Sequence, residues 1–145
     1  MSGEGLAVIG ALGLELLQRR GWTPAAVGGL TLGADPVAYA IAAAGHARRI
    51  PVDAFTVRKA AKTHGTGRRL EGCFGSGAAV VVVEDVITTG GSALEAIEAI
   101  TVEGGKVLGV LAVVDREEGG REAIERAGHG VEAMLGARAL GLGTP

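Results

Sequence analysis

The sequence has little cysteine, few aromatic residues and no large excess of charge of either sign. Cys73 is its single cysteine, so an intramolecular disulfide is impossible, and a reducing cytoplasm is the simplest expectation. Aromatic residues make up 3% of the chain and the net charge is −2. The chain therefore lacks the aromatic residues that stack bases on a sheet surface, and it lacks a basic surface that would attract phosphates. We expect no nucleic-acid partner.

Long apolar runs and a basic leader are lacking as well. Apolar runs such as Val107–Val114 are far shorter than the roughly 20 residues that a membrane-spanning helix needs. No basic residue precedes the first apolar stretch, so we expect neither a membrane partner nor a signal peptide. With 145 residues, 48% of them apolar, the chain suits a single domain over residues 1–145.

Glycine, by contrast, is abundant, and helical and strand patterns alternate along the chain. The 26 glycines lie mostly at the ends of apolar runs, where tight turns or close ligand approach need a bare backbone. Residues 78–83 form a continuous apolar run, typical of a strand in a parallel sheet. Asp35-Pro36 is interpreted as an N-cap followed by the first helical residue. The alternation predicts an α/β fold, a three-layer sandwich with a mostly parallel central sheet. The predicted helices are 6–20, 35–44, 92–102 and 121–127, and the predicted strands are 26–32, 51–57, 78–83, 106–114 and 131–135.

The strongest functional signal follows the strand at 78–83. Glu84 and Asp85 come first, followed by a loop of hydroxyls and glycines, Thr88-Thr89-Gly90-Gly91-Ser92, that opens a helix. Backbone N–H groups that converge at a helix N-terminus bind phosphate. Adjacent carboxylates suit the vicinal hydroxyls of a sugar, or a magnesium ion held through them. The pattern predicts a sugar-phosphate site, while the Gly-Lys-Ser/Thr of a triphosphate loop is absent.

A cationic run follows the second predicted strand. Residues 58–69 contain five of the 14 Lys and Arg and one histidine, with no acid among them. Glycines punctuate this run as they do in mobile lids. Such a lid beside a phosphate cradle predicts neutralisation of a polyanion and exclusion of water. The members that we single out are Arg58, Lys59, Lys62 and His64.

Two other strand ends carry weaker signals. The turn after the first strand, Thr31-Leu32-Gly33-Ala34, could present backbone N–H groups to a second phosphate. Arg116 follows the fourth strand, where its forked donors could meet an anionic or carbonyl-rich base. Cys73 has no neighbouring base and is interpreted as a packed thiol.

Together these features resemble a known family. Val80–Ser92 resembles the phosphoribosyl pyrophosphate (PRPP) motif of type I phosphoribosyltransferases. Arg58-Lys59-x-x-Lys62-x-His64-Gly65 resembles the catalytic loop of the orotate phosphoribosyltransferases within that group. The resemblance covers about residues 5–135. It implies transfer of the 5-phosphoribosyl group from PRPP to orotate, which gives orotidine 5′-monophosphate and pyrophosphate.

The resemblance also implies a role for each matching residue. Glu84 and Asp85 would face the ribose hydroxyls, with Lys62, His64 and Asp85 as the catalytic residues. The remaining PRPP contacts would come from Arg58 and Lys59, from Val86 and Ile87, and from the phosphate loop Thr88, Thr89, Gly90, Gly91 and Ser92. Pyrophosphate would meet Thr31, Leu32, Gly33 and Ala34, and orotate would meet Thr88 and Arg116.

Magnesium and a second subunit are implied in the same way. Mg²⁺ would enter with PRPP, without direct protein ligands, and the cationic loop would act across a homodimer interface with shared active sites. Members of the family usually carry a longer segment before the first helix that forms a hood over the base, and we expect this chain to lack it. Two alternatives stay open: a phosphoribosyltransferase for another base, and a non-catalytic regulator that binds PRPP or a nucleotide.

Overall fold

The computed structural model describes residues 1–61 and 67–142. Among these residues are four α-helices and six strands. The helices are α1 (Gly3–Arg19), α2 (Ala34–Ala47), α3 (Gly91–Val102) and α4 (Gly120–Arg126). The strands are β1 (Ala26–Leu30), β2 (Asp53–Val57), β3 (Leu70–Gly72), β4 (Ala79–Ile87), β5 (Lys106–Asp115) and β6 (Val131–Gly136). A short 3₁₀ turn, Ala137–Leu140, follows β6.

The strands form one sheet in the order β3-β2-β1-β4-β5-β6. Each described neighbour pair is parallel except β2 with β3, which is antiparallel. An apolar core fills each face of the sheet: α1 and α2 pack on one face, and α3 with Ile124 of α4 packs on the other. The predicted three-layer α/β sandwich with a mostly parallel sheet is therefore confirmed.

The chain reverses its winding between β1 and β4. From β1 the crossover through α2 leads outward to β2, whereas from β4 the crossover through α3 leads to β5 on the other side. In open α/β sheets, ligands bind at such a switch point, outside the carboxyl ends of the strands. The loops after β1 and β4, residues 31–33 and 88–90, flank this point.

Three local predictions were wrong. Strand β3 was not predicted, since three residues on a sheet edge give almost no periodic signal. Cys73, which follows β3, is exposed rather than packed. The N-cap of α2 is Gly33, without a side-chain cap, and Asp35 lies in the first turn. Its carboxylate instead accepts hydrogen bonds from the hydroxyls of Thr31, in the preceding turn, and of Thr56 on β2, at 2.7 and 2.9 Å.

In the part of the chain that the structure describes, no helix combines the length and the apolar character needed to cross a membrane.

Candidate active site

The acidic pair lies within β4 and not beyond its end. The strand runs on to Ile87, four residues further than predicted, because the continuous ladder with β5 extends to the pair Ile87–Asp115. Side chains alternate between the faces of a strand, so the two carboxylates receive different environments. Glu84 is 4% exposed, whereas Asp85 faces solvent.

Glu84 is a buried carboxyl group without a partner for one of its oxygens. Among residues 1–61 and 67–142, no donor lies within hydrogen-bond distance of Glu84 Oε1. Burial, and secondarily the negative charge of Asp85, raise the pKa of Glu84 to about 7. The side chain lines a small pocket together with the loop that follows β4, so a ligand hydroxyl there would find an unused acceptor.

The hydroxyl-glycine loop closes that pocket. Gly90 adopts a left-handed conformation, with φ +84°, and caps the N-terminus of α3, which begins at Gly91. Glycine adopts this backbone conformation without the steric cost of a Cβ atom. The pocket is lined by Glu84, Val86, Ile87, Thr88, Thr89, Gly90, Gly91, Ser92 and Ala93. The predicted loop therefore forms a concave cradle at a helix N-terminus, beside the buried acid.

The turn after β1 lies against the acidic pair. A Cβ atom built at Gly33 would stand 2.7 Å from Asp85 Oδ2, so only glycine permits this approach. The peptide bond between Thr31 and Leu32 is cis, and the Leu32 side chain is 81% exposed. Thr31 N–H donates to the Val57 carbonyl, which holds this turn against the end of β2.

The cationic run is the connection between β2 and β3. Its base adjoins the turn after β1, because Leu30 pairs with Val57 in the parallel ladder. Arg58 follows β2 directly, and its Nη1 lies 3.1 Å from Glu71 Oε1 on β3. Lys59 is exposed. Lys62 and His64 lie outside the described residues, so their predicted roles stay predictions.

Arg69, although part of the cationic run, is directed into the protein. Its guanidinium donates to the carbonyls of Arg58 and Lys59, at 2.8 and 3.1 Å, and forms an ion pair with Glu95 of α3. The Glu103 carboxylate accepts from the N–H of Arg69 at 2.9 Å. Both flanks of the run are thus tied to α3, the helix whose N-terminus closes the cradle.

The loop after β5 forms the far side of the site. Arg116 N–H donates to the carbonyl of Ile87, at 2.9 Å, which holds this loop against the end of β4. The Arg116 side chain is half exposed and lies 2.7 Å from Glu118. Sequence reasoning missed the buried Asp115 and its partner Arg121, 2.9 Å apart. The available signal was an acidic residue at the end of a buried strand.

The predicted site residues that the structure describes therefore lie at one edge of the sheet. The loops after β2, β1, β4 and β5 begin there side by side, and their described residues are 58–61 with 67–69, 31–33, 88–90 and 116–119. The two glycine-bearing turns, the acidic pair and Arg116 are adjacent rather than scattered.

Solved structures share this architecture. The structure of Mycobacterium tuberculosis H37Rv orotate phosphoribosyltransferase in complex with Fe(III) dicitrate matches with a TM-score of 0.88 and 50% identity, over 98% of this chain and 78% of that one. The same enzyme in complex with PRPP matches with a TM-score of 0.82 and 48% identity, over 95% and 75%. Fold and site together define a type I phosphoribosyltransferase.

Sequence comparison narrows the class. The curated orotate phosphoribosyltransferase of Mycobacterium avium is 55% identical over 137 residues, which covers 94% of this chain and 74% of that protein. No family model matches the chain. At this identity and coverage, the chain belongs to the orotate phosphoribosyltransferase family.

Proposed function

We propose that this protein, as one phosphoribosyltransferase domain over residues 1–145, transfers the 5-phosphoribosyl group from PRPP to orotate in pyrimidine biosynthesis. N1 of orotate, having lost its proton, forms the new bond to C1 of the ribose, and the C1–oxygen bond to pyrophosphate breaks. The products are orotidine 5′-monophosphate and pyrophosphate. The observation that carries the proposal is the buried Glu84 carboxyl, whose Oε1 has no hydrogen-bond partner among the described residues, beside the loop of residues 88–92 in a chain of this family.

The cradle and the acids would hold the phosphoribosyl group. Backbone N–H groups of residues 88–92 and the N-terminus of α3 favour a 5′-phosphate. Ribose hydroxyls would donate to Glu84 and Asp85, and Glu84 would give up its proton as its carboxylate gains these donors. Because Gly33 lies against Asp85, pyrophosphate on the 31–34 turn would sit next to the ribose.

The cationic loop would stabilise the departing group. Breaking the bond at C1 places positive charge on the ribose and negative charge on pyrophosphate. Lys62 and His64, with Arg58 and Lys59, would stabilise this developing negative charge, and His64 could donate a proton or a hydrogen bond to it. Arg58 is held by Glu71 at the base of this loop, adjacent to the 31–34 turn.

The base would be recognised on the far side of the cradle. Arg116 lies in the loop after β5, and its pairing with the half-exposed Glu118 is weak in water. The guanidinium could exchange that partner for the carboxylate of orotate, which offers the same bidentate acceptor. Thr88, at the start of the cradle, would supply a hydroxyl to the same ligand.

Magnesium would be carried by the substrate. Across the described ranges, no group of three or more His, Cys, Asp or Glu side chains is arranged as a metal site. Mg²⁺ usually keeps several waters and binds through substrate phosphates rather than through a protein cage. When bound, the ion would neutralise charge on pyrophosphate, while the protein residues hold the ligand that carries it.

We also propose a homodimer with shared active sites. Exposed apolar side chains on adjacent elements support it, because a surface of this kind commonly marks an interface. They are Val8 and Leu12 on α1, Leu32 on the turn after β1, and Tyr39 on α2. Light scattering at micromolar concentration would give twice the monomer mass. We place the reaction in the cytoplasm, in keeping with a single cysteine that lacks an intramolecular partner.

Loss of orotate absorbance on addition of PRPP and Mg²⁺ tests the function. Continuous loss that requires both additions supports it. Turnover of hypoxanthine or uracil, but not of orotate, would instead support an enzyme for another base. Tight PRPP binding without turnover of any base would support a regulator.

A further inference from the structure

Asp115 is a buried acid whose two oxygens are both occupied by the protein. It ends β5 next to Ile87, and its side chain is 5% exposed. Oδ1 accepts from the Glu117 N–H and Oδ2 accepts from Arg121 Nε, both at 2.9 Å. Glu84, the other buried acid of the described residues, has an unused oxygen instead. Asp115 therefore stabilises the local structure and has no free oxygen for a ligand.

Arg121 extends this contact to two further elements. It lies in the first turn of α4, and its Nη1 donates to the carbonyl of Val131, at 2.9 Å, where β6 begins. The pair consequently joins the end of β5, the helix α4 and the start of β6. Hydrogen bonds between ionised groups are about twice as strong as neutral ones, and burial of Asp115 limits screening by solvent.

The loop that the pair encloses, residues 116–119, carries Arg116. Glu117 has φ +58°, a conformation that non-glycine residues rarely adopt and that surrounding contacts must maintain. Its N–H is the group that Asp115 holds. The Arg116 backbone is fixed to Ile87, while its side chain pairs, among the described residues, with the exposed Glu118. The backbone is thus fixed and the guanidinium is free to exchange partners.

The same loop ends against the phosphate cradle. A Cβ built at Gly120 would stand 2.4 Å from the Thr88 carbonyl oxygen and 2.8 Å from the Gly90 nitrogen. The N-terminus of α4 therefore forms the back of the cradle. A shift of α4 relative to β4 would therefore move the 116–119 loop against the cradle, although the Arg116 N–H stays bonded to Ile87.

We propose that Asp115 and Arg121 are positioning residues that set the distance between the base-recognition loop and the phosphate cradle, and thereby the affinity for the acceptor base. This rests on the proposed function, in which Arg116 meets orotate. The pair touches neither substrate. Its loss should act on orotate much more than on PRPP, because the pair directly encloses the loop of Arg116, whereas the residues proposed to hold PRPP lie on β4, on α3 and on the turn after β1.

Arg121→Met tests the proposal, with Arg126→Met as the matched control on an exposed position of the same helix. Steady-state kinetics of Arg121→Met should show KM for orotate raised about tenfold or more, with KM for PRPP changed less than about twofold. Arg126→Met should leave both values unchanged. Arg121→Lys keeps the charge toward Asp115 but lacks the second donor to Val131, so its KM for orotate should be intermediate.

Further outcomes separate the possible failures. Equal changes in both KM values, or a lower melting temperature with unchanged KM values, would reduce the pair to a structural role and overturn the proposal. If Arg121→Met does not fold, the proposal is tested with Arg121→Lys instead. An unchanged KM for orotate in Arg121→Lys overturns the proposal. A wild-type protein that leaves orotate unconverted overturns the proposed function and this inference with it.

Discussion

Gly33 and Asp85 are in such close contact that a single methyl group between them has no room. A Cβ at Gly33 would stand 2.7 Å from Oδ2 and 2.8 Å from Oδ1 of the Asp85 carboxylate. The carboxylate is itself oriented by the Val86 N–H, at 2.8 Å from Oδ1. This contact joins the proposed pyrophosphate turn to the proposed ribose-binding acid across the switch point between β1 and β4.

Gly33→Ala should therefore impair PRPP binding with little loss of stability. The backbone at Gly33 is right-handed, with φ −59°, so alanine fits the conformation and only the carboxylate must move. We expect KM for PRPP to rise roughly tenfold, while the melting temperature stays within a few degrees of wild type. Gly75→Ala, where the Cβ meets nothing within 4 Å, is the control. A wild-type KM in Gly33→Ala would contradict a role for this contact.

Gly90→Ala should destabilise the fold as well as the cradle. A left-handed alanine costs about 1–2 kcal/mol, and the new Cβ would also stand 2.8 Å from the Gly120 carbonyl oxygen. We expect the free energy of unfolding in urea to fall by about 2–4 kcal/mol. Gly128→Ala has a similar φ, +93°, with nothing within 4 Å, so it measures the conformational cost alone. Equal decreases in the free energy of unfolding of the two variants would show that the contact with Gly120 adds nothing to the destabilisation by Gly90→Ala.

Lys62→Ala should slow the chemical step more than it weakens binding. Lys62 lies outside the described residues, and its proposed role is to stabilise charge on the departing pyrophosphate. Loss of one such donor should lower kcat on the order of 10²–10³-fold, with a modest change in KM for PRPP. Lys106→Ala, at the exposed start of β5 on the opposite edge of the sheet, should keep wild-type kinetics. An unchanged kcat in Lys62→Ala would remove this residue from the mechanism.

Glu84→Gln should stabilise the ligand-free protein, increasingly so as pH rises. The pKa of Glu84 is about 7 in the folded protein against 4.5 ordinarily, so between these values the folded state holds a proton that the unfolded state has lost. The free energy of unfolding of the wild type therefore falls as pH rises through this window, by an amount on the order of 3 kcal/mol. The Glu84→Gln variant does not show this decrease, because its amide does not titrate. Urea unfolding at pH 4.5 and pH 8 measures the difference between variant and wild type.

The control for that experiment is Glu98→Gln, on an exposed position of α3. The free energy of unfolding of Glu98→Gln should stay close to that of wild type at both pH values. If Glu84→Gln gained no stability between pH 4.5 and pH 8, the carboxyl would not be protonated in the folded state. For PRPP binding we expect the opposite effect, a loss. Glu84→Gln should bind PRPP more weakly than wild type, because the amide replaces one hydroxyl-accepting oxygen with a donor.

Sequence patterns predicted the elements well where burial is continuous and poorly where partners are distant. The apolar run at 78–83 identified β4, but not its extension to Ile87, because that extension depends on the ladder with β5. Asp35 has the composition of an N-cap, yet the Thr31 and Thr56 hydroxyls take its carboxylate. The edge strand β3 exists only through its pairing with β2.

The chemistry of the site can be read from local sequence: which residues are acids, hydroxyls, cations and bare glycines, and near which strand end each group lies. Local periodicity and spacing carry that information, since they depend on neighbours along the chain. Tertiary structure alone decided that Glu84 is buried with an elevated pKa while Asp85 is exposed against Gly33. It also decided that Asp115 binds Arg121. Burial and long-range pairing depend on how strands stack in space, and no spacing along the chain specifies that.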